Sequence, residues 1–175
     1  MSRAHHPRRL RTVLVLSLAL VVALPVGGCS AGKEQGKKSD RLPDVTLASL
    51  TGGKSLELST VRGPMVINLW ASWCTPCRKE LPQYQAFAEK NAGKVEVLGI
   101  DFQETRPAAA RQLARETGVQ YPLFSDPDGD LRAIGLPKVI LVDPEGRVAH
   151  EEYVEITSVG QLERLVETHL KVAAG

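Results

Sequence analysis

Apolar and polar positions fall along the chain in blocks of different period. Val13–Val26 (VLVLSLALVVALPV) is an almost unbroken apolar run, and Ser30–Arg41 has no apolar side chain larger than alanine. From Leu42 onward, short apolar patches alternate with turn signals. Val45-Thr46-Leu47 and Leu56-Glu57-Leu58, separated by Thr51-Gly52-Gly53-Lys54, predict an N-terminal hairpin. Met65–Ala71 is apolar on both alternating faces except at Asn68, which predicts a strand in the middle of a covered sheet. Cys74–Asn91 has helical periodicity, and Val95–Ile100 reads as a strand. Pro107–Thr117 reads as an alanine-rich helix opened by a tolerated first-turn proline. Val139–Val142 predicts another strand. Asp143-Pro144-Glu145-Gly146 has type I turn chemistry and returns Arg147–Val154 as its antiparallel partner. Ser158 and Gln161 read as a capping box that opens a last helix, with Leu162, Leu165, Val166 and Leu170 on one face. The order hairpin, β, α, β, α, β, β, α predicts an α/β domain with a mixed sheet.

Composition agrees with one packed domain: of 175 residues, 43% are apolar and 24% charged. The net charge of +2 conceals an asymmetry, because Arg3, Arg8, Arg9 and Arg11 all precede the first acid, Glu34. From residue 29 on, 18 basic residues face 20 acidic ones, a balance of −2 that lacks the basic footprint of a nucleic-acid binder. Three cysteines are too few for a disulfide scaffold.

The arginines followed by a 14-residue apolar run fit a secretory signal, since a membrane span needs about 20 residues. Val26-Gly27-Gly28-Cys29-Ser30 resembles a bacterial lipobox, with valine in place of the usual leucine. That resemblance implies a lipidated Cys29 as the mature N-terminus. It divides the chain into a signal peptide (1–28), a flexible tether (29–41) and a globular domain (42–175). An ordinary export signal with an incidental Cys29 is the alternative. Arg8-Arg9 is followed by Leu10-Arg11, a poor match to twin-arginine export.

Chemistry concentrates in Trp73-Cys74-Thr75-Pro76-Cys77, at the join of the buried strand and the first helix. Cys77, Leu81, Tyr84 and Ala88, with Phe87 beside them, form one helical stripe that must face the core. Cys77 is thereby directed inward, and Cys74 at the helix start can stay accessible. The unpaired N–H groups and positive dipole end of a helix favour a thiolate there. Cys74 then reads as the nucleophile toward a partner's disulfide and Cys77 as the thiol that resolves the mixed disulfide. Pro76 stiffens the small ring and removes one competing donor. A zinc site would need a second Cys-x-x-Cys or a spaced His pair, and His150 and His169 read as isolated. A structural disulfide without catalysis is the plainer alternative.

Trp70-Ala71-Ser72-Trp73-Cys74-Thr75-Pro76-Cys77-Arg78-Lys79-Glu80-Leu81-Pro82 resembles the active-site segment of the TlpA/ResA/CcmG-like thiol–disulfide oxidoreductases of the thioredoxin superfamily. The likeness runs from about Leu42 to the end of the last helix. It implies a thioredoxin-like mixed sheet flanked by helices, with an N-terminal β-hairpin and an extra helix between core strands. Gly135-Leu136-Pro137 matches the family's cis-proline site, which helps dock the partner chain. Trp73 would shield the disulfide, and Glu104 aligns with an acid near the active site that influences its thiols. Two features depart from the family: the segment Leu131–Pro137 is shorter by about three residues, and Lys138 replaces a small polar residue.

The resemblance implies an enzyme of the cell envelope, on the extracytoplasmic face of the membrane, held by a lipid anchor. It would reduce disulfides of client proteins such as apocytochrome c, receive electrons from a membrane donor, and act as a monomer. No cofactor beyond the Cys74–Cys77 pair, no metal and no nucleic acid is expected. A disulfide-forming oxidase is one alternative. A non-catalytic copper-binding lipoprotein is another, although related copper chaperones space their cysteines by three residues and add a distal histidine. Peroxidase activity lacks its Pro-x-x-x-Thr-x-x-Cys arrangement. His169 and Trp70 read as packing residues. Asp126, Asp128 and Asp130 read as a turn, because position twelve of a calcium loop would be Pro137 rather than glutamate.

Overall fold

Strand β3 (Met65–Trp70) is apolar on both faces, and the fold covers both. The computed structural model describes residues 40–174; Cys29 and the expected signal and tether through residue 39 lie outside them. β3 pairs in parallel with β4 (Glu96–Phe102), placing Asn68 opposite Gly99 and Trp70 opposite Asp101. On its other side it pairs antiparallel with β6 (Lys138–Val142), which pairs antiparallel with β7 (Val148–Glu152). β4 pairs in parallel with β5 (Leu123–Asp126), and β5 pairs antiparallel with β1 (Thr46–Ser49) of the predicted hairpin. β2 (Leu56–Glu57) closes the edge of a mixed sheet ordered β2-β1-β5-β4-β3-β6-β7.

Helix α1 (Thr75–Lys90) joins β3 to β4, α2 (Pro107–Glu116) joins β4 to β5, and α3 (Val159–Leu170) follows β7. All three contribute to one core cluster against Val66, Trp70, Val97, Val139 and Leu141. Successive parallel crossovers that step the same way across a sheet put their helices on the same face when both are right-handed. The opposite face buries Ile67, Leu69, Leu98, Ile100, Ile140 and Val142 under Leu42, Leu47, Leu58 and Val61.

Two local readings change and one holds. β5 has no counterpart among the predicted strands, so the extra helix leads into β5 and not directly to β6. Its four residues end in Ser125 and Asp126 and carry little apolar pattern. The Asp126 carboxylate accepts the N–H groups of Asp130 (2.8 Å) and Leu131 (3.1 Å), so the aspartates do form a turn. Ser158 is the N-cap of α3, but its side chain makes no cap bond. Gln161 instead accepts from the Thr157 N–H at 3.0 Å, so the capping contact is displaced by one residue.

The chain enters the domain at the β6–β7 turn. Arg41 bridges to Arg147, and the Asp40 carbonyl accepts the Val148 N–H. Nearby, Gly63 donates its N–H to the Asp143 carbonyl at 2.8 Å. An added Cβ at Gly63 would lie 1.9 Å from the Val142 carbonyl oxygen, so only glycine fits. The Gly63–Pro64 peptide is cis. No helix among the described residues is long and apolar enough to cross a membrane.

Candidate active site

The strand-to-helix join places both cysteines as the sequence requires. Cys74 is the N-cap of α1, Pro76 lies in the first turn, and Cys74 and Cys77 are joined in a disulfide with their Cα atoms 5.3 Å apart. The Cys77 N–H points at Cys74 Sγ at 3.3 Å, the contact that would hold a thiolate at a helix N-terminus. Cys77 is fully buried, and its stripe continues through Leu81, Tyr84 and Phe87 as the periodicity predicts. Cys74 is less accessible than expected, at 5% exposure, because the bond turns its sulfur inward toward Cys77. Trp73 stands beside it 51% exposed.

Glu104 is buried and tied directly to the active-site segment. One carboxylate oxygen accepts the Ser72 backbone N–H at 3.0 Å and the Ser72 hydroxyl, and the other accepts the Arg106 N–H at 2.7 Å. Glu104 therefore braces the residue two positions before Cys74. Behind it, Asp101 is buried on β4 with neither carboxyl oxygen hydrogen-bonded among the described residues. Burial, then the nearby Glu104 charge, pushes its carboxyl up to about 7, against a lowering from Arg111.

Sequence reasoning missed Glu80 as a functional residue. It sits one turn after Cys77 on the same helix face and is fully buried. Its Oε2 accepts the Ile156 N–H at 2.9 Å, and its Oε1 is buried with no hydrogen-bond partner. Burial pushes the carboxyl up to about 8; the Ile156 bond lowers it, and the Glu155 charge adds a further rise. The available signal was the spacing itself, since position i+3 from an inward Cys77 must also face inward. The run Arg78-Lys79-Glu80 hid it by looking like a solvated charged patch.

On the neighbouring edge, the Leu136–Pro137 peptide is cis, as the family resemblance implies. Lys138 is buried next to it. Its ammonium pairs with Glu151 at 2.8 Å and lies 5.2 Å from the Tyr153 ring centroid. His169 packs as read, but it and His150 are not isolated from each other: their rings stack with centroids 3.8 Å apart. Among the described residues, no three metal-ligating side chains come together.

Known proteins align with this arrangement over most of the chain. A family model described as Redoxin matches residues 37–166. The thiol-disulfide oxidoreductase ResA of Bacillus subtilis (strain 168) is 32% identical over 149 residues, covering 79% of this chain and 80% of that protein. A secreted thiol-disulfide isomerase from Corynebacterium glutamicum has a TM-score of 0.60 at 26% identity, covering 74% of this chain and 83% of its own. StoA from Bacillus subtilis, at 22% identity and a TM-score of 0.60, shares the fold over 71% of this chain and all (100%) of its own.

Proposed function

The chain belongs to the Redoxin family and is a thiol–disulfide oxidoreductase with Cys74 and Cys77 as its redox pair, and we propose that it works outside the cytoplasm as a lipid-anchored reductant. Its clients are protein disulfides, with apocytochrome c suggested by the family resemblance, and a membrane electron donor restores its dithiol.

The charge around the pair carries the reducing direction. The acids Glu80, Asp101 and Glu104 are all buried in the segments that flank it, and the buried Lys138 is already paired with Glu151. Buried carboxyls disfavour a neighbouring thiolate, and a site that stabilises thiolates weakly prefers the disulfide and gives its electrons away. The N-terminus of α1 opposes this at Cys74 alone, which keeps the outer sulfur reactive.

The cycle follows from the positions of the sulfurs. The Cys74 thiolate attacks the client disulfide, one Cys74–client bond forms, and the displaced client sulfur leaves with the bonding electrons. Cys77 then passes its proton to the free oxygen of Glu80. Its sulfur attacks Cys74, and the second client sulfur departs as a thiolate. A carboxyl that titrates at about 8 suits this exchange near neutral pH, because a general base works best when its pKa lies close to the operating pH.

Equilibration of the pair against dithiothreitol and glutathione tests the direction. A reduction potential well below about −200 mV is expected, and one near −120 mV would make the protein an oxidant. The anchor has a separate test. Cys29→Ser should release the domain from membranes or block its processing, as read by fractionation and intact mass. A processed mutant that stays fully membrane-bound would remove the lipid from this reading.

A further inference from the structure

The segment Leu131–Pro137 and Lys138, the two places where the sequence departs from the family pattern, meet in the structure at Tyr153. The Ile134 N–H donates to the Tyr153 hydroxyl oxygen at 3.1 Å. The Lys138 ammonium lies over the Tyr153 ring, 5.2 Å from its centroid, and pairs with Glu151 at 2.8 Å. The β6–β7 register accounts for the meeting: Val139 pairs with Glu152, so Lys138 and Tyr153 stand opposite each other one step further on. An ammonium over its face holds an aromatic ring in place at that distance.

The segment is tied at its start, middle and end. The Asp126 carboxylate accepts the Leu131 N–H, and the Arg132 N–H donates to the Gly129 carbonyl at 2.9 Å. Arg132 has φ 50°, a left-handed conformation uncommon in a residue with a Cβ. Tyr153 holds the middle at Ile134, and β6 begins at Lys138. Between these ties the Ile134 side chain points to solvent, 92% exposed. A lone exposed isoleucine is ordinary, but a group of exposed apolar side chains is not. Among the described residues only three large apolar side chains are exposed: Trp73, Ile134 and Tyr153, the last at 46%. All three belong to the end of the sheet that carries Cys74. Trp73 precedes Cys74, and Leu69, next to the last residue of β3, pairs with Lys138.

We infer that Ile134 is a specificity-determining residue for protein clients, and that Tyr153 is the positioning residue that holds it at the rim of the redox site. The inference rests on Cys74 exchanging with protein disulfides. The occupant of the rim is a client segment with a large apolar side chain beside its cysteine. Continuity with the redox site selects it, because a client sulfur that reaches Cys74 brings the residues on either side of its cysteine across this rim. Ile134 covers the apolar side chain, which removes both from water. A polar side chain in the same place is desolvated without a partner and binds less well. Tyr153 acts through the Ile134 backbone, with its hydroxyl oxygen as the acceptor and its ring fixed by Lys138.

Two disulfide-bonded peptides that differ only in leucine or serine beside the cysteine test this with the reduced full chain. The readout is the ratio of their exchange rates with Cys74, followed by mass spectrometry after acid quenching. Wild type should favour the leucine peptide by about tenfold. Ile134→Ser should bring the ratio close to one. Tyr153→Phe should lower it about threefold, the worth of one exposed hydrogen bond, and should speed solvent exchange of the Ile134 N–H. The double variant should lose no more than Ile134→Ser alone, because Tyr153 works through Ile134. The ratio compares two peptides on one protein, so a general loss of reactivity does not imitate these changes. An equal rate for both peptides in wild type, or a preference that survives Ile134→Ser, would overturn the inference. Full preference in Tyr153→Phe, or losses that add in the double variant, would overturn the role of Tyr153 in holding Ile134. If wild type exchanges with neither peptide while Cys74 still alkylates, protein disulfides are not its substrates, and the inference falls with that reading.

Discussion

Cys77→Ala is expected to stop turnover and leave Cys74 joined to client proteins through mixed disulfides that dithiothreitol releases. Cys74 keeps its place at the start of α1, with the residue-77 N–H still directed at its sulfur, so the first attack proceeds. The resolving attack has no substitute. A well-placed intramolecular group acts at an effective concentration of ~10⁵ M or more, against millimolar thiol in solution, so turnover should fall by at least ~10³-fold. Non-reducing electrophoresis after exposure to an unfolded disulfide-bonded substrate should show covalent adducts in Cys77→Ala and none in Cys74→Ala. Adducts through Cys77 in Cys74→Ala would reverse the assignment that rests on the inward stripe of α1. So would faster alkylation of Cys77 than of Cys74 in the reduced wild type.

The second large effect is expected at Glu80. Glu80→Gln keeps the shape and can still accept the Ile156 N–H, but it cannot take a proton. General-base catalysis contributes ~10²–10⁴-fold, so resolution of the mixed disulfide should slow by about 10² or more. Alkylation of Cys74 should be nearly unchanged. Stability gives an independent readout with a definite sign. Glu80 titrates at 4.5 when unperturbed and at about 8 in the folded protein, so the folded state holds more protons between these limits. The stability from this group is full below pH 4.5 and is lost as pH rises through about 8. Asp101, raised to about 7, adds a loss of the same sign over a lower window. Glu80→Gln should therefore unfold at higher denaturant than wild type above pH 8, with a flatter dependence between pH 5 and 8. An equally steep profile in the variant would mean that the carboxyl is ionised or solvated in the native state.

The redox pair was readable in the sequence because its determinants are local. The Cys-x-x-Cys spacing, the helix it opens and the stripe through Leu81 and Tyr84 all lie within one stretch of chain. The hairpin, β3 and the β6–β7 return were readable for the same reason, since each has its own pattern and turn. What was hidden depends on partners far away in sequence. β5 is a strand because β4 and β1 flank it, and its own four residues would not specify one. Glu104 could be placed near the active site only through the family resemblance, because the Ser72 N–H and hydroxyl that it accepts lie 32 positions earlier. Glu80 gains its chemistry from burial, from the Ile156 N–H and from the Glu155 charge, none of which a helical wheel contains. Lys138 looked out of place after Pro137, but Glu151 on the next strand accounts for it.

The way the chain enters the domain also fixes which way the domain presents itself. Asp40 and Arg41 are held at the β6–β7 turn, near the end of the sheet where β3 begins, and the disulfide follows the end where β3 stops. A six-residue strand spans ~20 Å, so the point where the chain enters the domain and the reactive sulfurs sit at opposite poles. Whatever holds the protein by its N-terminal side leaves the redox pole as the free end. A client then meets Cys74 at the pole opposite Asp40 and Arg41.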